Sequence, residues 1–410
     1  MSGGPLTDNV RTQRRWRGFA LLALALVALV GLGAAHTGHA PIGLEAIYAA
    51  RSLEGAPHLG GASAARPALA YWGSTDHVEP TRLNLAIVGQ GVTIGLADAE
   101  KVDEVSFFVD VPRSSKSVFA VDRRAPFTLP RRSRAGLQPY ALGTHALRAD
   151  LLLASGRHRR LNVTYSVAHI VAMPESVDAT SLQRTIDSTP AGPVLVRPQL
   201  GATSFAVSGD LTMKREDVTI DGAHVEGGID FEPGSDGSAF VDGASAGFGI
   251  FGADDIVLRG NLFDGQGIRK DNPIWDRPAG SAPDRFKIIG NTFENFYDDR
   301  SEDVHSQAIF VGYSTNGLID GNTFVNNGST AHIFISYWGE LAEGENASAA
   351  QSMPRNICIR RNTFGPVHGA WYAVNFREEI TPTSGIKVAP SNNAQNGLGL
   401  VSDGRYLGPC

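Results

Sequence analysis

Four acids, Asp298, Asp299, Glu302 and Asp303, crowd around His305, and the apolar run Ala308–Gly312 follows directly. A histidine titrates near neutral pH and is a candidate proton acceptor. A hard cation such as Ca²⁺ takes several carboxylate oxygens, which such a run of acids can supply in part. Further along stand His332, His368 and Arg377, the last followed by Glu378 and Glu379. An arginine fork fits a carboxylate. Phe310, Phe334 and Trp338 offer flat apolar surfaces and Asn375 an amide. Each residue also has a plainer reading. A charged run between strands is a solvated turn, a histidine beside a strand forms hydrogen bonds, and an arginine on a sheet face forms a structural ion pair.

The elements that must position these residues are legible as a repeat. The stretches VTIDGAHV, IVLRGNLF, FKIIGNTF, GLIDGNTF and ICIRRNTF align on Ala223, Asn261, Asn291, Asn322 and Asn362. Three residues earlier stand Ile220, Leu258, Ile288, Ile319 and Ile359, and two residues later Val225, Phe263, Phe293, Phe324 and Phe364. Five residues earlier come Val218, Ile256, Phe286, Gly317 and Ile357. Such alternation marks a half-buried strand, and its recurrence marks strands stacked in successive coils. The glycine suits a tight turn; the Asn tolerates left-handed backbone and can bond to the next coil. A second set of strands, FGIFG, AIFVG, HIFIS and YAVNF, interleaves with the first. If Ile309, Val311, Ile333 and Ile335 point inward, then Phe310, Phe334, His332, Ser336, Ala373 and Asn375 point outward.

This pattern resembles the right-handed parallel β-helix of the pectate-lyase-like superfold over residues 175–380. The stretch TSLQRTIDSTPAGPVLVRPQLGATSFAVSGDLTMKREDVTIDG looks like that fold's capping helix, first strand and first coil. The resemblance implies a ligand groove along one parallel sheet and its flanking loops. In a uronate lyase or C5-epimerase of this fold, His305 or His332 would be the base and Arg377 would hold the sugar carboxylate. Asp298, Asp299, Glu302 and Asp303 would hold Ca²⁺, and Phe310, Phe334, Trp338, His368 and Asn375 would contact sugar. Known enzyme signatures are absent. There is no paired-aspartate and Arg-Ile-Lys pattern of the polygalacturonase type, and DVHS is not the Asp-Pro-His of a mannuronan epimerase. The alternative implied by the fold is a non-catalytic glycan-binding, adhesive or structural envelope protein.

Upstream, short strands such as EVSFFVDV, HALRADLLLA and RRLNVTYSVA suggest a small β-sandwich. The Phe-Val-Asp strand, the Ala-Pro-Phe turn and LGTHALRA resemble bacterial immunoglobulin-like domains. At the N-terminus Arg11, Arg14, Arg15 and Arg17 precede an apolar run from Phe19 to Ala35. That order predicts export, with an uncleaved signal anchor or a cleaved signal peptide. The expected organisation is a basic N-terminus over 1–17, a signal or anchor over 18–36, a stalk over 37–80, the immunoglobulin-like sandwich over 81–172, the β-helix over 173–380 and a tail over 381–410. The chain is therefore expected to be all-β apart from its membrane segment, and held at a membrane or secreted.

The formal net charge of -6 argues against a nucleic-acid partner. A polysaccharide partner is what the β-helix resemblance implies, and a membrane partner is what the N-terminal segment predicts. Two cysteines, Cys358 and Cys410, make either one disulfide or two separate thiols. Cys358 falls in the mixed column of the repeat, so its side chain is expected outside, where a tail folding back could meet it. The triplets at Asn162, Asn327 and Asn346 match the glycosylation sequon.

Overall fold

Apolar residues at alternate positions of Val102–Val109 and Gly143–Leu153 put Val105, Phe107, Leu147, Ala149 and Leu151 on one side of an antiparallel sheet. The strands Ala120–Asp122 and His158–Met173 complete it. Ile94 and Leu96, from a second antiparallel sheet of Thr81–Arg82, Ala68–Trp72 and Thr93–Ala97, share its core. The computed structural model describes residues 67–410 apart from 73–80, 83–86, 90–92, 98–100, 111–117, 131–138, 200, 267–271, 276–281, 298–305, 328–330, 337–352, 367–371, 378–379, 381 and 396.

Two boundaries differ from expectation here. The strand Ala68–Trp72 lies inside the segment read as a stalk. The boundary expected at 172/173 falls within one unbroken strand, His158–Met173. Its first part pairs antiparallel with Gly143–Leu153, and its last part, His169 to Met173, pairs parallel with Val194–Pro198. One sheet thus continues from the N-terminal layer into the coils.

The helix Ala179–Ser188 opens the coiled region. Asp178 caps it by accepting from the Ser181 N–H at 2.8 Å, and Ala179, Leu182 and Ile186 recur on one face that is buried. Arg215 closes its other end by donating to the carbonyls of Ile186, Thr189 and Pro190 at 2.6–2.7 Å.

Eight successive coils among the described residues then stack in parallel. Face 1 runs from Val194–Pro198 through Val218–Asp221, Ala239–Val241, Val257–Arg259, Lys287–Ile289, Leu318–Asp320 and Cys358–Arg360 to Lys387–Val388. Face 2 includes Leu262–Asp264, Thr292–Glu294, Thr323–Val325, Thr363–Phe364 and Asn393–Ala394. Face 3 includes Pro273–Trp275, Ile309–Val311, Ala331–Ile335, Tyr372–Phe376 and Gly399–Val401. The long strands Ala223–Phe231 and Ala244–Phe251 run through the corner between faces 2 and 3. This is a parallel β-helix.

Its interior is built from columns. Ile220, Phe240, Leu258, Ile288, Ile319, Ile359 and Val388 line face 1, all buried. Behind face 2, Phe263, Phe293, Phe324 and Phe364 stack 4.9–5.1 Å apart with interplanar angles of 12–19°, close to the strand spacing of about 4.8 Å. Gly317 stands in a column of larger residues because Phe286 fills its space: a Cβ there would come 2.1 Å from that ring.

Between faces 1 and 2 runs a ladder of five buried asparagines: Asn261, Asn291, Asn322, Asn362 and Asn392. Each of the first four donates its backbone N–H to the next side-chain oxygen at 2.9 Å. Each Nδ2 bonds back to the preceding coil; that of Asn291 donates to the Leu258 carbonyl at 2.9 Å. Buried backbone groups at the corner are thereby satisfied coil by coil. The left-handed residue is not the asparagine, as expected, but the one before it. Gly222, Gly260, Gly290 and Gly321 have φ of 64–70°, and Asp242 and Arg361 take the same conformation.

The array also runs past residue 380. The segment expected as a tail forms another coil, Lys387–Val388, Asn393–Ala394 and Gly399–Val401. Tyr406 then stacks on Phe376 with ring centroids 3.9 Å apart and covers the end of the core. Cys410 is joined to Cys358 by a disulfide, with Cα atoms 5.6 Å apart.

Candidate functional site

The register of face 3 fixes what its outer surface carries. Phe251 pairs with Trp275, Pro273 with Phe310, Phe310 with Phe334 and Phe334 with Asn375. Four of these rings form a strip across consecutive coils. Phe251 lies 6.4 Å from Trp275, Trp275 5.0 Å from Phe310 at 79°, and Phe310 5.8 Å from Phe334 at 49°. Phe251 and Phe310 are nearly buried, at 8% and 9% exposure, and act as props. Trp275 and Phe334 are half-buried and offer ring surface to solvent. Asn375 and Arg377 follow at the strip's C-terminal end, both half-buried.

Of the sequence candidates, Phe310, Phe334, Asn375 and Arg377 therefore share this surface. Asp298, Asp299, Glu302, Asp303, His305, Trp338 and His368 lie outside the described residues. The chain on either side shows only that 298–305 joins face 2 to face 3. Among the described residues no group of three or more His, Cys, Asp or Glu side chains could hold a metal ion.

His332 does not point outward. Its side chain is fully buried, with the ring 5.7 Å from both Phe324 and Phe364 of the inner stack. Period-two alternation fails there because Ala331–His332 is still rounding the corner from face 2. Nδ1 lies 3.3 Å from the amide nitrogen of Asn327 and Nε2 3.0 Å from the Gly365 carbonyl oxygen. An amide N–H can only donate and a carbonyl can only accept, so the ring is the neutral Nε2–H tautomer. Burial pushes its pKa down to about 4. A side chain so placed holds the corner and does not meet a polymer on the surface. Ala373, expected outside, is also fully buried, and Ser336 keeps the outward phase at only 1% exposure. Asn327 of the middle sequon is buried too, its amide shared between Phe296 N–H and the Phe293 carbonyl.

Trp275 and Phe251 were missed in the sequence. Pro273 reads as a breaker, and the strand Pro273–Trp275 is only three residues long. The one available signal was NPIW, an apolar pair at the right distance after LFD.

The outer surface of face 1 is of another kind. Asp320, almost fully buried, receives Arg360 and Arg361 from the next coil, and those bonds hold its carboxyl below the usual range. Asp221 is pushed up to about 6, first by burial and then by Asp242. Asp320 with Arg360 and Arg361 is a coil-to-coil ion pair, and none of these groups forms a platform.

No protein-family model and no curated protein matches the chain. Two solved structures are similar. One is an alginate lyase from Paenibacillus sp. str. FPU-7, at 12% identity and TM-score 0.34 over 58% of this chain and 99% of that one. The other is the Streptococcus pneumoniae surface protein and adhesin PfbA, at 10% identity and TM-score 0.30 over 57% of this chain and 80% of that one. The strand pairing, not either likeness, defines the parallel β-helix.

Proposed function

We propose that the outer surface of face 3 binds an extended polysaccharide, with Trp275 and Phe334 as its stacking residues. The strip Phe251–Trp275–Phe310–Phe334 carries this reading. Trp275 and Phe334 leave ring surface outside the coil stack, propped by the nearly buried Phe251 and Phe310, and a row perpendicular to the strands suits a ligand lying along the coil axis. Large rings presented with nearby amide and guanidinium groups are the usual anchors of a binding surface.

A second reading makes the surface catalytic. Arg377 sits at the end of the strip, where it could hold a sugar carboxylate, and His305 lies in the segment leading into Ile309–Val311. A lyase or C5-epimerase would use His305 as base, with Ca²⁺ held by Asp298, Asp299, Glu302 and Asp303.

The Cys358–Cys410 disulfide supports an oxidising compartment. With the arginines before Phe19–Ala35, it favours export, with the chain held at a membrane or secreted. That apolar run lies outside the described residues, among which no helix is long and apolar enough to cross a membrane. The immunoglobulin-like assignment of the N-terminal layer belongs to the same proposal.

The test is a panel of uronate-containing, neutral and amine-bearing polysaccharides offered to the purified chain, with Ca²⁺ and with chelator. Retention, unsaturated product and reducing ends are followed together. Retention without product is the expected result. Unsaturated product lost in His305→Ala would replace it with the lyase reading, and no retention on any polymer would remove both.

A further inference from the structure

Charge is divided unevenly along the chain. Residues 66–172 hold 14 Lys and Arg against 9 Asp and Glu, and residues 173–410 hold 17 against 30. The β-helix therefore carries a net -13 and the N-terminal layer +5, a contrast hidden in the overall -6. A field of that size on one body selects ligands by sign.

The aromatic strip sits within this acidic half and has carboxylates at its N-terminal end. Asp230 and Glu232 lie two residues apart, on either side of the inward Phe231, so both face outward. Asp230 is in register with Gly249, and Glu232 follows one step beyond the Phe231–Ile250 pair, level with Phe251. Gly249 gives Asp230 its room: a Cβ there would come 2.7 Å from Asp230 Oδ1. The only cation at the other end, among the described residues of the strip, is Arg377, and Glu378 and Glu379 follow it in the chain. From Glu232 to Arg377 is five strand spacings, about 24 Å.

A second observation comes from Ser336, in the same outward column as Trp275. It is 1% exposed and its hydroxyl has no hydrogen-bond partner. A buried hydroxyl without a partner is costly, and this one can donate to or accept from a ligand group that reaches it, so it marks a contact without selecting its charge.

We infer that the ligand of face 3 is a glycan bearing free amines, not a polyuronate; this rests on the polysaccharide reading above. A polyuronate brings one negative charge per sugar onto a body already at net -13 and would need bridging cations to stay. A polymer of glucosamine brings the opposite sign and several N–H donors per residue. Attraction of this kind fades as salt shortens the screening length from about 14 Å near 0.05 M to about 4 Å near 0.5 M.

The experiment is retention of the full chain on a β-linked glucosamine polymer, on its N-acetylated neutral counterpart and on polygalacturonate, at both salt levels, with Ca²⁺ and with chelator. The glucosamine polymer should be held at least ~10-fold more tightly than the neutral one at low salt, with the gap closing at high salt. Asp230→Asn with Glu232→Gln should bring the two within about 3-fold, and Trp275→Ala should release both. Tighter retention of polygalacturonate, with or without Ca²⁺, overturns the inference while the polysaccharide reading stands. So does equal retention of the charged and neutral polymers. Glucosamine-polymer binding that survives Trp275→Ala shows diffuse charge attraction and also overturns it. No retention of any polymer removes the polysaccharide reading itself.

Discussion

The β-helix carries two rows of aromatic rings on opposite sides of its wall, and they are built differently. Inside, Phe263, Phe293, Phe324 and Phe364 are one residue type at one position, nearly coplanar and fully buried. Outside, Phe251, Trp275, Phe310 and Phe334 come from two columns of face 3, mix residue types and meet at 49–79°. The inner row repeats because each coil must solve the same packing problem. In the outer row Phe251 and Phe310 are packed, but Trp275 and Phe334 keep ring surface open to solvent, and that surface needs another reason. Repetition marks what holds this molecule up, and departure from it marks what the molecule presents.

The largest effect should come from the inner row. Phe324→Ala removes a ring held between two others and should cost about 3–5 kcal/mol, whereas Phe334→Ala, half-exposed, should cost on the order of 1 kcal/mol. Urea unfolding of both variants checks this, and equal losses would erase the distinction between the rows.

His332 sharpens the same line, since it sits in a face 3 strand yet packs on the inner row. Its folded pKa of about 4 lies below the ordinary 6.5. As pH falls through that window the unfolded chain takes up a proton that the folded chain refuses. Stability present above pH 6.5 should therefore be lost towards pH 4, by on the order of 3 kcal/mol. His332→Gln should flatten that acid slope in melting curves measured across the window. An unchanged slope would mean that the ring is open to solvent.

A smaller effect of opposite sign belongs to the outer side of face 1. Asp221 has its pKa raised from 3.8 to about 6, so the folded chain holds the proton more tightly and stability falls as pH rises between those values. Asp221→Asn should stabilise by on the order of 2–3 kcal/mol at pH 7 and do nothing below pH 4. A loss at pH 7 would show that attraction to Arg259 and Arg197 outweighs the burial.

The coil array was legible in the sequence wherever glycine and asparagine marked the corner. It was lost where they were replaced. The coil at Ala239–Val241 has Gly243 in the asparagine's place, its N–H accepted by Asn261 Oδ1 at 2.9 Å. The last coil reaches Asn392 through Pro390 and Ser391, and so read as a tail. Half of the strip was visible as Phe310 and Phe334, because alternation in AIFVG and HIFIS is clean. Trp275 was hidden by Pro273, and His332 was misplaced by carrying the alternation one residue into a corner. Phase along a strand can be read from sequence; where a strand begins to turn cannot.

The most direct measurement compares the wild-type chain with Trp275→Ala by affinity electrophoresis in the polysaccharide it retains, beside melting curves for both. Retention should fall by ~30-fold or more, the loss of about 2 kcal/mol expected for an anchoring tryptophan, while the melting temperature moves by only a few degrees. Retention unchanged at equal stability would contradict the account and return the outer row to the status of packing.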